Sequence, residues 1–217
     1  MSGGRKKVVG MLAAMNVLGI LFAGNVMADM DKPNYAQFKL GAFQPTDDLD
    51  DANFDTGFQL SGAYGRYLTR YLIVEAGIDG FAVDNDVDGS NNTAGSFDQD
   101  NTLSVAGILV TLKGEVPVGP ANVFGGVGVG FYTATLDSDI ESERLGDFST
   151  DDDDQVIGAH VVAGVNYDIT SRFFAGIEGM YRWTDDLDID ETVASIPVSY
   201  DGDLSGFSIT LNGGFRF

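Results

Sequence analysis

The stretch that decides the fold is Leu204–Phe217, L-S-G-F-S-I-T-L-N-G-G-F-R-F, at the end of the 217-residue chain. Large apolar residues stand at positions 207, 209, 211, 215 and 217. Polar residues stand between them: Ser208, Thr210, Asn212 and Arg216. Because successive residues of a strand belong to opposite faces of a sheet, this alternation predicts a strand with one apolar and one polar face.

Seven further stretches have strand-like patterns, most of about the length that a tilted strand needs to cross a bilayer. They are Tyr35–Phe43, Gly57–Tyr67, Tyr71–Phe81, Thr102–Lys113, Val123–Ala134, Gln155–Tyr167 and Arg172–Trp183. The connections 68–70, 114–122 and 168–171 are short, whereas 44–56, 82–101, 135–154 and 184–203 are long. Short turns at one end and long loops at the other are typical of membrane barrels. We therefore predict an all-β fold, an eight-stranded antiparallel up-and-down transmembrane β-barrel.

The amino-terminal residues have the layout of a secretory signal. Arg5, Lys6 and Lys7 form a basic region, residues 8–23 form an apolar region, and Val26-Met27-Ala28 offers small residues around a cleavage point. The apolar run is short for a membrane-spanning helix. We therefore expect residues 1–28 to be a cleaved signal peptide and residues 29–217 to be the barrel domain. The chain has no cysteine, which excludes disulfides and thiolate metal sites.

Charged and apolar residues occupy alternate positions along the predicted strands and therefore belong to opposite faces. On Arg172–Trp183, Ile177 and Trp183 share one face, and Glu178 and Arg182 share the other. The same alternation can be read in the other strands where charged residues show which positions face inward. It places the following residues in the lumen: Lys39, Glu75, Asp79, Glu178, Arg182, Arg216 and His160. Two of the strands, Thr102–Lys113 and Val123–Ala134, have apolar residues on both faces. The sequence therefore leaves open which of their residues face the lumen.

These lumen residues comprise three acids, three bases and one histidine. An eight-stranded barrel has a bore that side chains can fill, and a buried charge is costly unless it is paired. We therefore interpret the set as a salt-bridged plug. A gated or leaky cation path is the alternative. His160 is the only histidine, and no nucleophile–base pair is visible within its strand. We therefore expect no enzymatic activity.

Acidic residues are concentrated in the long connections. The formal net charge is −21, and removal of the three signal bases leaves 33 acids against 9 bases, or −24. The four long connections hold 26 of these acids and one base, Arg144. Such a field repels nucleic acid and concentrates cations. We therefore expect no nucleic-acid partner.

Three interpretations of the acidic connections stay open. A run of like charges such as Asp151–Asp154 is typical of solvated loops. Asp84, Asp86 and Asp88, followed by Gly89, match the first half of a calcium loop. Gly95 stands where that loop needs a bidentate Glu, so a Ca²⁺ or Mg²⁺ site is a hypothesis, and no other cofactor is indicated. Docking to a basic partner is the third interpretation.

Phe217, with Phe215 two residues before it, closes the last strand in a way that resembles the insertion signal of bacterial outer-membrane barrels. With the signal peptide, eight strands and short turns, the whole mature chain resembles the small outer-membrane β-barrel superfamily, the OmpA-, OmpX- and OmpW-like group. The resemblance implies a Gram-negative outer membrane location with both termini in the periplasm. Its implied partners are outer-membrane lipid, lipopolysaccharide and the barrel-assembly machinery, and its implied state is a monomer.

The group that the chain resembles contains members with two kinds of interior, and each kind implies a different function. OmpX- and OmpA-like members are described as having polar, blocked interiors, and OmpW-like members as having a hydrophobic channel for apolar ligands. The charges predicted for the lumen favour the first kind. We therefore predict a structural or interaction protein of the cell surface, with a plugged polar lumen and acidic extracellular loops. The alternative is a small, porin-like transport channel for cations or apolar solutes.

Overall fold

The computed structural model describes residues 32–217, except 92–94, 143–145 and 194–195. For residues 51, 86–91, 95–100, 137–142, 146–153, 187–193 and 196–201 it describes the backbone alone. The predicted signal peptide, residues 1–28, and Arg144 therefore lie outside the described residues.

The described chain consists almost entirely of strands. In order, its elements are β1 (Asn34–Pro45), α1 (Asp48–Asp51), β2 (Gly57–Tyr67), β3 (Leu72–Asn91), β4 (Gly95–Val118), β5 (Ala121–Ser142), β6 (Gly146–Asp168), β7 (Phe173–Thr184), β8 (Leu187–Val193), β9 (Ile196–Gly202) and β10 (Gly206–Arg216). β1–β7 and β10 close into a barrel in which all neighbouring strands are antiparallel. β8 and β9 form a separate two-stranded hairpin. The predicted eight-stranded barrel is confirmed.

The alternation in β10 produces the two surfaces of the barrel wall. Ile209 and Leu211 are 51% and 66% exposed, whereas Ser208 and Thr210 between them are 2% and 4% exposed. Apolar residues therefore cover the outside and polar residues line the inside. A water-soluble barrel would bury its apolar face, so this arrangement is typical of a barrel surrounded by lipid. In the described part of the chain, no helix is long and apolar enough to span a membrane.

The two ends of the barrel differ. At the short-turn end, tight turns join β2 to β3, β4 to β5 and β6 to β7. In the middle one, Gly119 has a φ of 65°, which glycine adopts without steric cost. Phe217 is also at this end, where backbone hydrogen bonds of 2.9 and 3.1 Å join it to Asn34. The opposite end, where β3 turns into β4 and β5 into β6, is called the hairpin end.

Four neighbouring strands are far longer than a membrane crossing requires. β3, β4, β5 and β6 have 20, 24, 22 and 23 residues, whereas crossing a bilayer takes about 9–11 residues of tilted strand. β2 stops pairing with β3 at Ala82, and β7 stops pairing with β6 at Gly158. Beyond these residues the four strands continue as a sheet of their own at the hairpin end. We call residues 83–91, 95–103, 136–142 and 146–157 the projecting sheet.

The projecting sheet corrects the prediction of long loops. Residues 82–101 and 135–154 were expected to be loops, and residues 184–203 contain the β8–β9 hairpin rather than loop alone. Aspartate and asparagine are poor strand formers in isolation, so these segments do not have a strand-like composition. Ladder pairing overrides that preference, as in the pairs Asp84 with Thr102 and Asp86 with Asp100.

Candidate functional site

Two lysines and two glutamates meet in the middle of the lumen. Lys39 Nζ lies 3.2 Å from Glu75 and 2.6 Å from Glu178. Lys113 Nζ lies 2.9 Å from Glu75 and 2.8 Å from Glu178. Each ammonium therefore contacts both carboxylates, and all four residues are buried. We call these four residues, from β1, β3, β4 and β7, the central ion cluster.

Neutral donors complete the coordination of Glu75. Its Oε2 accepts hydrogen bonds from Tyr35 Oη at 2.5 Å and from Gln37 Nε2 at 2.7 Å. A buried ion pair is retained at low cost only when its remaining lone pairs are also satisfied. Glu75 meets that condition, because its carboxylate contacts two ammonium groups and two neutral donors.

A second ion pair lies in the lumen. Arg182 Nη2 donates to Asp79 Oδ2 at 2.6 Å, and Asp79 also accepts from Gln59 and Ser61. The guanidinium lies over the rings of Phe81, Phe43 and Tyr132, with 4.6, 5.1 and 5.1 Å between Cζ and the ring centroids. Such stacking is favourable where the cation is desolvated, and Arg182 is only 1% exposed. Arg182 is thus held by one charge and three rings.

His160 lies beside both ion pairs. Its Nε2 is 2.9 Å from Thr111 Oγ1, and its cross-strand partner on β7 is Arg182. Gly128 on β5 lies directly against it, because a Cβ at that position would overlap the imidazole ring. The lumen cavity that His160 lines has a volume of about 30 Å³, which is room for water alone.

Apolar side chains fill the lumen at the hairpin end. They form one buried cluster: Phe43, Leu49, Phe54, Phe81, Val83, Leu103, Val105, Leu109, Tyr132, Ala134, Leu136, Val156, Val162, Met180 and Leu204. This apolar half was not predicted from the sequence, which indicated a polar lumen throughout. The reason is that the inward residues of β4 and β5 are apolar, and parity could not be assigned there.

The connection between β1 and β2 packs into the hairpin end of the lumen. It carries α1, whose Leu49 is fully buried in the apolar cluster together with Phe54. Backbone hydrogen bonds hold it to both sides of the mouth: Thr46 N donates to Ser205 O at 3.1 Å and Asp55 N donates to Asp84 O at 2.9 Å. We call residues 46–56 the cap.

Arg216 is separate from the other predicted lumen charges. Its Nη1 donates to Asp168 at the short-turn end at 2.5 Å. The second lysine of the central ion cluster is Lys113, which the sequence did not place in the lumen. Lys113 was missed because the strand that carries it is apolar on both parities. Lys39, Glu75, Asp79, Glu178, Arg182 and His160 are all buried in the lumen.

The predicted calcium loop does not have the backbone of a loop. Residues 84–91 continue β3 and pair with β4, and an extended strand separates alternate residues by about 6.6 Å. A calcium loop bends so that its ligands come within about 2.6 Å of one ion. Asp84 is exposed and accepts from Thr102 Oγ1 at 2.9 Å, and the side chains of Asp86 and Asp88 lie outside the described part. Within the described part of the chain, no group of three or more His, Asp or Glu side chains is arranged so that it could hold a metal ion.

The register of the projecting sheet aligns its acids in three cross-strand rows. The rows are Asp84–Thr102–Asp137–Asp151, Asp86–Asp100–Asp139–Ser149 and Asp88–Asp98–Glu141–Asp147. Ten of these twelve positions are acidic. Because the rows are two residues apart, they belong to the same face of the sheet. We call these twelve positions the acidic face.

Aromatic rings surround the carboxy terminus at the short-turn end. The ring of Phe215 lies 5.1 Å from that of Phe173, and the ring of Phe217 lies 6.3 Å from that of Tyr64. Aromatic residues in this position are typical of the girdle at a membrane–water interface. Phe217 and Phe215, the predicted insertion signal, are therefore part of that girdle.

A closed antiparallel barrel with an apolar outer wall and a polar, ion-paired interior defines a class, the transmembrane β-barrels. The sequence comparison gives the family: residues 13–201 match the outer membrane protein beta-barrel domain. The chain belongs to that family and is a protein of the Gram-negative outer membrane. No curated protein matches the chain.

Several solved structures share the fold. OprG from Pseudomonas aeruginosa has a TM-score of 0.61 at 14% identity, covering 88% of this chain and 99% of that one. Neisserial surface protein A (NspA) has a TM-score of 0.55 at 14% identity, covering 85% and 97%. A major outer membrane protein from Thermus thermophilus has a TM-score of 0.51 at 12% identity, covering 87% and 100%.

Proposed function

We propose that this protein is an interaction protein of the cell surface whose barrel is a closed anchor. In this proposal the short-turn end and both termini are periplasmic, and the projecting sheet stands outside the cell. The observation that carries the proposal is the contrast between the two parts. Ion pairs and apolar side chains are buried in the lumen, whereas four strands are far longer than a membrane crossing requires and carry the acidic face.

The outer leaflet is the first proposed partner. On β3 the acidic face continues the parity of Ile78, Gly80 and Ala82, which belong to the membrane-facing wall. The acidic face therefore lies above the lipid surface rather than above the lumen. Lipopolysaccharide is anionic, so Ca²⁺ or Mg²⁺ would have to bridge its phosphates to these carboxylates, using the oxygen ligands that both ions prefer.

The proposal also covers membrane insertion and catalysis. Phe217 and Phe215 would be recognised by the barrel-assembly machinery, and the protein would act as a monomer. Catalysis is not part of the proposed role. The hydroxyl group hydrogen-bonded to His160 is that of Thr111, and the adjoining cavity of about 30 Å³ is too small for an organic substrate.

A small transport channel is the second candidate. A pocket of about 370 Å³ opens at the short-turn end and is lined by Tyr67, Glu115 and Arg216 among others. This opening would serve as the mouth of a path. To conduct, such a path would have to break the central ion cluster, pass the apolar cluster and displace the cap.

Conductance of the refolded protein in a planar bilayer tests the proposal directly, with and without millimolar calcium. A closed anchor gives no discrete openings in either condition. The Arg182→Ala variant sharpens the test because the two functions predict opposite results. If the barrel is a closed anchor, the variant is less stable and shows no channel openings. If the barrel is a channel, the variant has a higher conductance. Discrete openings of the wild-type protein would overturn the closed anchor in favour of transport.

A further inference from the structure

A groove of about 630 Å³ lies on the membrane-facing wall of the barrel. Its floor is formed by small residues, Gly62, Gly80 and Ala106. Its margins are large apolar side chains of the same wall, contributed by β1 to β5: Phe38, Leu60, Ile78, Ile108 and Phe131. The groove is therefore on the outside of the wall, whereas the central ion cluster and the cavity beside His160 are on the inside.

Two glycines account for the depth of the groove. A Cβ at Gly80 would meet its nearest atom, Val105 O, at 3.5 Å, and a Cβ at Gly62 would meet Ile78 Cγ1 at 3.8 Å. The cross-strand partners of these glycines on the same face are Leu60 and Ile78, which are large and exposed. Each glycine thus leaves a depression beside a large apolar side chain. A larger residue at either position would fill the groove without overlapping the wall.

The end of the groove nearer the short turns is closed by a ridge. Ile78 on β3 is the cross-strand partner of Ile108 on β4, which is the partner of Phe131 on β5. Ile78 and Ile108 are both exposed on the wall. An elongated apolar group that lies in the groove would therefore end against these three side chains.

The opposite end of the groove opens toward the acidic face. On β3 the floor continues from Gly80 through Ala82 to Asp84, which share one face because they are two residues apart. On β4 the partners of Ala82 and Asp84 are Ser104 and Thr102. Four residues of strand separate Gly80 from Asp84, a distance of about 13 Å. Asp84 is exposed, so a molecule that follows the groove toward the hairpin end reaches a carboxylate.

The groove lies in the part of the wall that lipid surrounds. In a bilayer it is filled by an alkyl chain whichever molecule supplies the chain, so exchange of one chain for another changes the buried apolar area little. The head group then decides the affinity. Asp84, Asp137 and Asp151 belong to one row of the acidic face, and their charges attract a cationic head group and repel an anionic one. Charge complementarity therefore selects an alkyl chain with a cationic head.

We propose that the groove binds a cationic amphiphile, a molecule with an alkyl chain and an ammonium head group. The chain lies over Gly62, Gly80 and Ala106, and the head group contacts the acidic face at Asp84. The site needs neither a divalent cation nor a particular orientation of the barrel in the membrane. It is therefore independent of the contact with lipopolysaccharide proposed above.

Quenching of a tryptophan in the groove tests the proposal. Trp183 is the only tryptophan, so Trp183→Phe combined with Phe131→Trp gives a reporter protein with one tryptophan on the ridge. The mature reporter protein is placed in phosphatidylcholine nanodiscs with dodecyltrimethylammonium or dodecyl sulfate, each brominated at the end of its chain. We expect the cationic probe to reach half-maximal quenching at a membrane mole fraction at least about fivefold lower than the anionic probe, which is the size of effect that exposed charge contacts give.

Matched variants of the reporter protein separate the groove from the acids. Gly80→Leu fills the groove and keeps every acid, so saturable quenching by the cationic probe should be lost. Gly114→Leu is the control, because Gly114 belongs to the same wall outside the groove and a Cβ there would meet its nearest atom at 3.9 Å. This control should bind as the reporter protein does. Gly62→Val is a second filling variant, and amide hydrogen exchange of the barrel strands verifies that each variant is folded.

A variant of the acid at the open end tests the head group. Asp84→Asn keeps the groove and removes one charge, so the affinity for the cationic probe should fall by about two- to fivefold. The affinity for the anionic probe should stay the same or rise. An unchanged ratio of the two affinities would remove Asp84 from the site.

Three results would overturn the proposal. Equal quenching by the two probes would mean that the groove does not select a head group. Unchanged cationic binding in both filling variants would mean that the acids hold the probe by general attraction. Stronger quenching by the anionic probe than by the cationic one in millimolar calcium would identify an anionic lipid as the occupant. Discrete channel openings, by contrast, would overturn the closed anchor and leave the groove intact, so the two proposals fail separately.

Discussion

Lys39 and Glu178 are 139 residues apart in the chain, and their side chains meet at 2.6 Å in the middle of the lumen. Closure of the barrel brings them together, because β1 and β7 both pair with β10. Their partners Glu75 and Lys113 come from the opposite wall. The bore is thus crossed by ion pairs that join separate parts of the sheet.

Removal of one base from the central ion cluster should be costly. Lys113→Met leaves Glu75 and Glu178 to share Lys39, and breaking a buried pair in this way costs about 3–5 kcal/mol of unfolding free energy. Urea unfolding in bilayers measures the change. Arg70→Met, at an exposed position in a turn, is the matched control and should change stability by less than about 0.5 kcal/mol. A similar effect of both variants would contradict a structural role for the cluster.

The stability that the Arg182–Asp79 pair gives the barrel should depend on the shape of the cation as well as on its charge. Arg182→Lys keeps the charge but loses the planar group that stacks on Phe81 and its neighbours, so we expect destabilisation of about 1–2 kcal/mol. Arg182→Met should cost more, because Asp79 is then buried without its ion partner. Asp79→Asn in the Arg182→Met background should restore part of the loss. A double-mutant cycle measures this coupling, and additive effects would refute it.

The cap should open without opening the barrel. Leu49→Asp places a charge in the apolar cluster, so residues 46–56 should exchange amide hydrogens faster and become sensitive to protease. Asp50→Asn, at an exposed position of the same turn, is the control. Because the central ion cluster lies deeper in the lumen, the Leu49→Asp protein should stay silent in a planar bilayer. Discrete openings of this variant would identify the cap as the main barrier.

Two glycines on β5 should respond differently to alanine. A Cβ at Gly128 would overlap the backbone oxygen of Val110 and the His160 ring, whereas a Cβ at Gly125 would meet its nearest atom, Val162 O, at 3.7 Å. Gly128→Ala should therefore destabilise the barrel by about 1–3 kcal/mol through overpacking. Gly125→Ala should be close to neutral. Unfolding in urea compares the two variants, and equal effects would argue against close packing of Val110 and His160 against Gly128.

Calcium should stabilise the projecting sheet if the sequence hypothesis of a divalent-cation site is right. Like charges oppose each other at Asp86 with Asp100 and at Asp88 with Asp98, which is unfavourable in the absence of cations. Millimolar calcium should then slow amide exchange in residues 83–91 and 95–103. Asp86→Asn combined with Asp88→Asn should reduce the effect by half or more. Protection that is unchanged by calcium would refute the site.

The sequence was most informative where alternation was clear. β7 and β10 alternate apolar with polar residues, so their faces and the inward positions of Glu178 and Arg182 could be predicted. β4 and β5 gave no parity, so Lys113 and the apolar half of the lumen could not be foreseen, and Glu115 was assigned to the connection 114–122. The projecting sheet was missed because Asp-rich segments have weak strand propensity, and only the ladder pairs of a hairpin show that they are extended.

The sequence by itself determined the class of the protein. A strand with lipid on one side and a narrow lumen on the other needs alternating apolar and polar residues, and this two-residue period is visible in the sequence. The tertiary structure decided which charges pair, that the cap enters the lumen, and that ten acids share one face. These features depend on register and closure, which bring together residues far apart in the chain. A local pattern determines which face of a strand a residue occupies, but not which residue stands opposite it.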